Sequence, residues 1–373
     1  MNLYDPALKE EIVQIDDLKV SAYAIPTDFP ESDGTIEWNS TTLVLVELKA
    51  GGKTGIGYTY AAASTANFIS DVLKEIVMKK NVFDINSITQ QMIHAIRNQG
   101  QCGIAMMAVS AVDTALWDLK AKILDLPLCN LLGKAKDEIL LYGSGGFTSY
   151  SDKQTQQQFE NWADQGVKYF KMKIAREPAK DVARVKAARK AIGDDAELFV
   201  DANGGYNIKQ ATEKANEFSE YRITWFEEPV TSDNLKGLNF IREHSPLEMN
   251  ITAGEYGYNL AYFESMLDAN AVDILQADAT RCGGITGFLK AGILCEASQI
   301  PFSSHCAPAL HMHAALALPS FFIAEYFHDH ERIEKMFFDG VIPPVNGKLK
   351  PDLTRAGMGI EFLFDSAEKF RIR

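Results

Sequence analysis

The segment YFKMKI places two lysines, Lys171 and Lys173, two positions apart inside an apolar run. Strand side chains alternate, so both ammonium groups point to one side. Farther along, other short apolar runs end in ionisable residues: Asp201, Glu227, Glu255, Asp278, His305 and Glu325. This set holds the parts of acid–base chemistry. Two adjacent ammonium groups repel, which is expected to lower their pKa values toward the range of a useful base. Asp201, Glu227 and Glu255 offer oxygen ligands only, the donor set that suits Mg2+. A carboxylate at Asp278 can hold one ring nitrogen of His305 and leave the other to move a proton.

Taken singly, each residue has a plainer reading. An isolated KxK is more often an exposed edge strand. Asp201 before ANGG can start a turn, Glu227 or Glu228 before Pro229 can cap a helix, and Glu255 can sit in a surface loop. His305 alone reads as a core histidine, and Glu325 as a structural ion-pair partner. What the plain readings explain poorly is their joint position.

That position comes from the elements. From Asp17 to Tyr60 the pattern is strand-like: LKVSAYAI, a polar loop PTDFPESDGTIEWNS, then TTLVLVEL, a GGKTG turn and IGYTY. Ser64 to Leu132 reads as helical, so strands followed by helices predict a small α+β domain. Near Ile139 the rhythm changes. Short apolar runs begin near residues 139, 169, 197, 225, 250, 272, 300 and 321, separated by helical stretches. Eight such units predict a (β/α)8 barrel, whose active site lies at the C-terminal ends of its strands. Seven consecutive strands would then deliver an ionisable group to one mouth. The expected organisation is an α/β chain with an N-terminal α+β capping domain (1–135), a barrel (136–338) and a turn-rich segment (339–373) returning to the cap.

Composition bounds the function. The 373 residues are 46% hydrophobic and 23% charged, as in an ordinary globular protein. A net charge of −13 argues against a nucleic-acid partner, which requires clustered Lys and Arg. Five cysteines without CxxC spacing indicate neither a disulfide framework nor a zinc site, and a reduced cytoplasm is the expected setting. The N-terminal stretch does not read as a leader, and no run approaches a membrane span. His328 and His330 have tempting metal spacing but lie beyond a strand end, and are expected at the surface or mouth. His311 and His313, in an Ala-rich helical stretch, are expected against a helix or subunit contact.

The ordered set KMK at 171, VDANGG at 200, WFEEP at 225, AGE at 253, QADATRCGG at 276, SSH at 303 and AEYF at 324 resembles the enolase superfamily, specifically its mandelate racemase subgroup. The resemblance spans nearly the whole chain. It implies that Asp201, Glu227 and Glu255 bind Mg2+, and that Lys173 is the base on one face of a small carboxylate substrate. Lys171 would tune Lys173 or touch the substrate carboxylate. His305, paired to Asp278, would be acid or base on the opposite face, and Glu325 would hydrogen-bond the developing enolate. The implied reaction is abstraction of the proton next to a carboxylate, with dehydration of a sugar acid favoured over racemisation or epimerisation. Cycloisomerases of the wider family generally carry a lysine where this chain has His305, which disfavours that outcome. A barrel that binds a ligand without turnover is the reading from another class. A homo-oligomer is the expected assembly. Specificity is expected from two cap segments, 27–40 and 59–65. The first is acidic, with Asp28, Glu31 and Asp33, and suits hydroxyls or a cationic group better than an anion.

Overall fold

The computed structural model describes residues 12–373. Three antiparallel strands, β1 (Asp17–Ser32), β2 (Glu37–Ala50) and β3 (Lys53–Tyr60), open the chain. In β2 the run LVLV is buried throughout because the sheet is covered on both faces. Leu43 and Leu45 join the core shared with the barrel, whereas Val44, Val46 and Leu48 pack with the cap helices. The helix Gly103–Ile123 lies directly on β3. That closeness needs glycine: a Cβ on Gly57 would stand 2.1 Å from the Ala111 carbonyl oxygen, and one on Gly55 2.4 Å from Leu119 Cβ.

The expected polar loop over 26–40 is mostly strand. β1 runs to Ser32 and β2 starts at Glu37, with an irregular register between Pro26 and Glu31. Only Asp33–Ile36 turns, closed by a 3.0 Å bond from the Asp33 N–H to the Ile36 carbonyl. The segment reads as a loop because polar Glu31, Ser32 and Asp33 are its buried residues while Phe29 and Ile36 are exposed, so no apolar alternation marks it.

Eight parallel strands follow: β4 (Ile139–Gly145), β5 (Tyr169–Lys173), β6 (Glu197–Asp201), β7 (Ile223–Glu227), β8 (Asn250–Ala253), β9 (Ile274–Ala277), β10 (Phe302–Ser304) and β11 (Phe321–Phe327). Pairing of β11 with β4, from Ile323–Leu140 to Phe327–Ser144, closes the barrel. Tyr142, Phe199, Trp225, Ile274 and Ile323 fill its interior, so polar side chains are left to the strand ends. Among the described residues, no helix is long and apolar enough to cross a membrane.

The last segment pairs β12 (Phe338–Asp339) with β14 (Glu361–Phe362), while β13 (Lys348–Leu349) adds antiparallel to β4. It then runs to the cap, where the Ile372 N–H donates to the Ala22 carbonyl at 2.9 Å and the Met358 N–H to Asp118 at 2.7 Å.

Cap and barrel are also joined through Glu334, which accepts from the Tyr58 hydroxyl at 2.5 Å and from the Ala309 N–H at 3.0 Å. Burial moves its pKa from the ordinary 4.5 to about 8, with Glu331 adding to the rise and the Tyr58 and Ala309 bonds and Lys335 opposing it. A carboxyl raised on folding contributes most below its ordinary pKa, and the contribution is lost as pH rises through about 8. Wild type should therefore lose thermal stability between pH 5 and 8 more steeply than Glu334→Gln, by at most about 1.4 kcal/mol per pH unit. Parallel Tm–pH curves for the two proteins would contradict this.

Candidate active site

Asp201 ends β6, Glu227 ends β7, and Glu255 follows β8. All three are buried, and one oxygen from each lies within 4.8 Å of the others. Asp201 Oδ1 accepts from the Asn203 N–H at 2.9 Å. Glu227 Oε2 accepts from the Trp225 indole at 2.8 Å and from Gln276 at 3.0 Å. Glu255 Oε1 faces Arg281 at 3.4 Å, while its Oε2 is buried and receives no hydrogen bond. Burial and the neighbouring Asp201 carboxylate push the Glu227 carboxyl well up. Glu228, beside it, is also buried with one oxygen unpartnered, and burial and Glu255 raise its pKa. Converging carboxylates, all-oxygen donors and an orphaned buried oxygen together fit a hard divalent cation.

The lysines stand against these carboxylates. The Lys171 ammonium lies 2.5 Å from Glu227, 2.8 Å from Glu325 and 3.4 Å from Asp201. Lys173 bonds Asp201. The expected lowering of their pKa values is reversed. Burial favours the neutral amine, but Glu227 and Glu325 at Lys171, and Asp201 at Lys173, outweigh both burial and the neighbouring ammonium, and hold both pKa values above the ordinary one. The reason is proximity, since each ammonium meets carboxylates directly.

His305 directly follows β10 and places Nδ1 2.9 Å from Asp278 Oδ2. Burial would raise the Asp278 pKa, but His305, Arg281 and His311 hold it well below the usual carboxylate range. The other ring nitrogen, Nε2, lies 3.2 Å from the Cys306 thiol and 3.4 Å from Glu255 Oε2. Glu325, on β11, accepts from Ser144 at 2.6 Å and from the Cys306 N–H at 2.7 Å.

A cavity of about 310 Å3 opens between cap and barrel above these groups. Of the eight predicted residues, Lys173, Glu255 and His305 line it, and Lys171, Asp201, Glu227, Asp278 and Glu325 lie behind them through the contacts just given. Two expectations change here. Lys171 touching the substrate carboxylate and Glu325 donating to the enolate both need an exposed group, yet both side chains are fully buried. Each is spent on the other, because a charge in a water-free interior needs its counter-charge. Glu325, moreover, accepts from Ser144 and the Cys306 N–H, and Lys171 holds its pKa below the ordinary one against burial.

The cap supplies Trp38 from β2 and Tyr60 from β3, so both expected cover segments reach the cavity. His330 also lines it, with its ring 3.5 Å from that of Tyr60 and its pKa pushed down to about 3 by burial. It is a mouth residue, whereas His328 pairs with Asp28 at 3.0 Å. His311 was not singled out for the site, yet its Nε2 accepts from the Ala279 N–H at 2.8 Å and its Nδ1 meets the Ala307 carbonyl at 2.9 Å, tying the segments after β9 and β10 together. His313 accepts from the Cys129 N–H at 3.2 Å, a structural contact with the cap side. Arg281 lines the cavity and also went unread; its place in the QADATRCGG motif was the only signal.

Comparison with known proteins identifies the family of the two domains. Residues 154–366 match the family described as "Enolase C-terminal domain-like", and residues 21–133 match the mandelate racemase / muconate lactonizing enzyme N-terminal domain. A mandelate racemase/muconate lactonizing enzyme-like protein from Rubrobacter xylanophilus is 47% identical over 96% of this chain and 99% of its own, with a TM-score of 0.94. L-talarate/galactarate dehydratase from Salmonella typhimurium is 29% identical over 82% of this chain and 79% of its own. A variant of such a dehydratase, solved with Mg and L-glucarate, superposes with a TM-score of 0.90 at 26% identity, covering 100% and 95% of the two chains. A racemase from Streptomyces coelicolor with bound magnesium is 28% identical over 96% and 100%, with a TM-score of 0.90. By both domain matches and by its near-complete superposition on these structures, the chain belongs to the mandelate racemase / muconate lactonizing enzyme family of the enolase superfamily.

Proposed function

We propose that this chain removes the proton next to the carboxylate of a sugar acid and expels the β-hydroxyl as water, giving a 2-keto-3-deoxy acid. One observation carries the reading: two separate proton carriers, Lys173 and the His305–Asp278 pair, reach a single cavity from β5 and from the loop after β10. Around the closed barrel, β4 and β11 separate those strands on one side and four strands on the other. A substrate held between them is flanked on two faces.

Asp201, Glu227 and Glu255 would hold Mg2+. Bound there, the ion offsets the carboxylates that keep Lys173 protonated and stabilises the negative charge that grows on the substrate carboxylate as its α-proton leaves. Lys173, as the free amine, takes that proton, and the C–H electron pair is first held in the substrate carboxylate as an enolate, then returns to form the double bond between α- and β-carbons. His305, protonated at Nε2 and held at Nδ1 by Asp278, gives its proton to the β-hydroxyl as the C–O bond breaks. The resulting enol becomes the ketone by losing its hydroxyl proton and taking one at the β-carbon. Lys171 acts as a positioning residue: its ammonium fixes Glu227 and Glu325 beneath the floor, and Glu325 in turn anchors the Cys306 N–H beside His305.

Racemisation is the second reading, favoured by the same two-sided placement and by the likeness to the magnesium-bound racemase. It would require His305 to return a proton to the α-carbon. The two are separated by incubating the Mg2+-loaded protein with a panel of 2,3-dihydroxy acids. Dehydration yields semicarbazone-forming keto acid, whereas inversion of the α-centre without keto acid would replace this proposal with racemisation. A complete acid–base set beside a metal-fitting cluster gives a binding-only barrel no support.

A further inference from the structure

We infer that the far end of the substrate is uncharged, so that the site accepts a hydroxylated monocarboxylic acid and turns away the diacid of the same length. This rests on the function proposed above, with the reacting carboxylate at the floor where Lys173, Glu255 and His305 meet.

Among the described residues, the basic side chains bordering the cavity are Lys173, Arg281, His305 and His330, and all come from the barrel. None is free for a second anion. Lys173 bonds Asp201, and Arg281 is held by Glu255 and by Asp278, at 3.4 and 3.5 Å. His305 is paired to Asp278, and buried His330 is stacked on Tyr60 as a neutral ring.

The cap wall offers nothing to replace them. Ile36, Trp38, Ala61 and Ala62 present carbon, and Ser40 and Thr42 present hydroxyls. Its one carboxylate, Asp33, is turned into its own tight turn, accepting from the Thr35 and Ile36 N–H groups at 2.6 and 2.8 Å. Behind Trp38 no cation is left over either. Fully buried Glu31 accepts the Trp38 indole N–H at 2.7 Å, and burial together with Asp329 raises its pKa to about 9, so it is an uncharged carboxyl. Arg332 is spent on Asp329, and His328 on Asp28. A second substrate carboxylate would thus lose its water facing carbon and hydroxyls, with no free cation to replace it. A neutral hydroxylated end meets no such penalty, and Ser40 and Thr42 can serve as its donors and acceptors. Leaving a competing ion desolvated and unpaired is a standard route to specificity.

The test is calorimetric binding to the Mg2+-loaded protein of matched pairs, each aldonic acid against the aldaric acid of the same configuration, such as galactonate and galactarate. The best-bound aldonate is expected to bind at least about 10²-fold more tightly than its diacid. A diacid that binds as well as its aldonate would overturn the inference and leave the proton chemistry standing. So would a panel in which no aldonate binds at all. An aldonate that binds with the expected preference but never exchanges its α-proton would instead sink the proposed reaction and leave this inference intact.

Discussion

Replacing Lys173 with methionine is expected to lower kcat/KM for a turned-over acid by about 10³-fold or more, at the upper end of what a positioned general base supplies. Methionine keeps the length of the stem, so the side chain can remain packed beside Phe327, over whose ring the ammonium lies 6.0 Å from the centroid. What disappears is the ammonium on Asp201. The same change removes a cation that competes for that carboxylate, so magnesium affinity should hold or rise while turnover collapses. The two responses moving in opposite directions distinguish a lost base from a damaged site. Activity within about tenfold of wild type would rule Lys173 out as the base.

Asp201→Asn should produce the other large effect, on both turnover and metal response. Asparagine can still accept the Asn203 N–H, so the loop after β6 keeps its local bond. The charge is lost, however, and the set of three carboxylates falls to two. In wild type, Mg2+ at 100 times its Kd should stabilise the folded protein by about 2.7 kcal/mol, read as an increase in Tm. The variant should show little or none of that increase at the same concentration, and its turnover should fall by at least about 10²-fold. Treating wild type with a chelator should reproduce both losses, and restoring Mg2+ should reverse them. A variant that keeps both the thermal response and the activity would exclude Asp201 as a ligand.

The sequence made the barrel readable because each strand is a short apolar run bounded by turn residues, and because strand alternation sends Lys171 and Lys173 to one side. It also made the positions of Asp201, Glu227, Asp278, His305 and Glu325 readable, since each stands at or just beyond the end of such a run. What it could not carry is which group faces which across the barrel. Lys171 lies 56 residues from Glu227 in the chain, yet their side chains are in contact. Spacing therefore suggested two repelling ammonium groups where carboxylates in fact dominate. The hairpin over 26–40 was missed for a related reason: Ile36, Trp38 and Ser40 face the cavity while Glu31, Ser32 and Asp33 are buried, so polar and apolar residues follow no two-residue alternation. His311 and His330 sit on helices, where a lone histidine carries no local signal of the partner it meets.

Two opposed proton carriers are the centre of the account, and isotope exchange addresses them most directly. A turned-over acid is incubated in D2O with wild type, Lys173→Met and His305→Asn, and α-deuterium and keto acid are followed by NMR. Wild type should form keto acid, and His305→Asn should lose keto-acid formation by about 10²-fold or more while still exchanging the α-proton through Lys173. Lys173→Met should lose both. Full turnover in both variants, or α-exchange that persists without Lys173 and stops without His305, would contradict the assignment of Lys173 as base and His305 as acid.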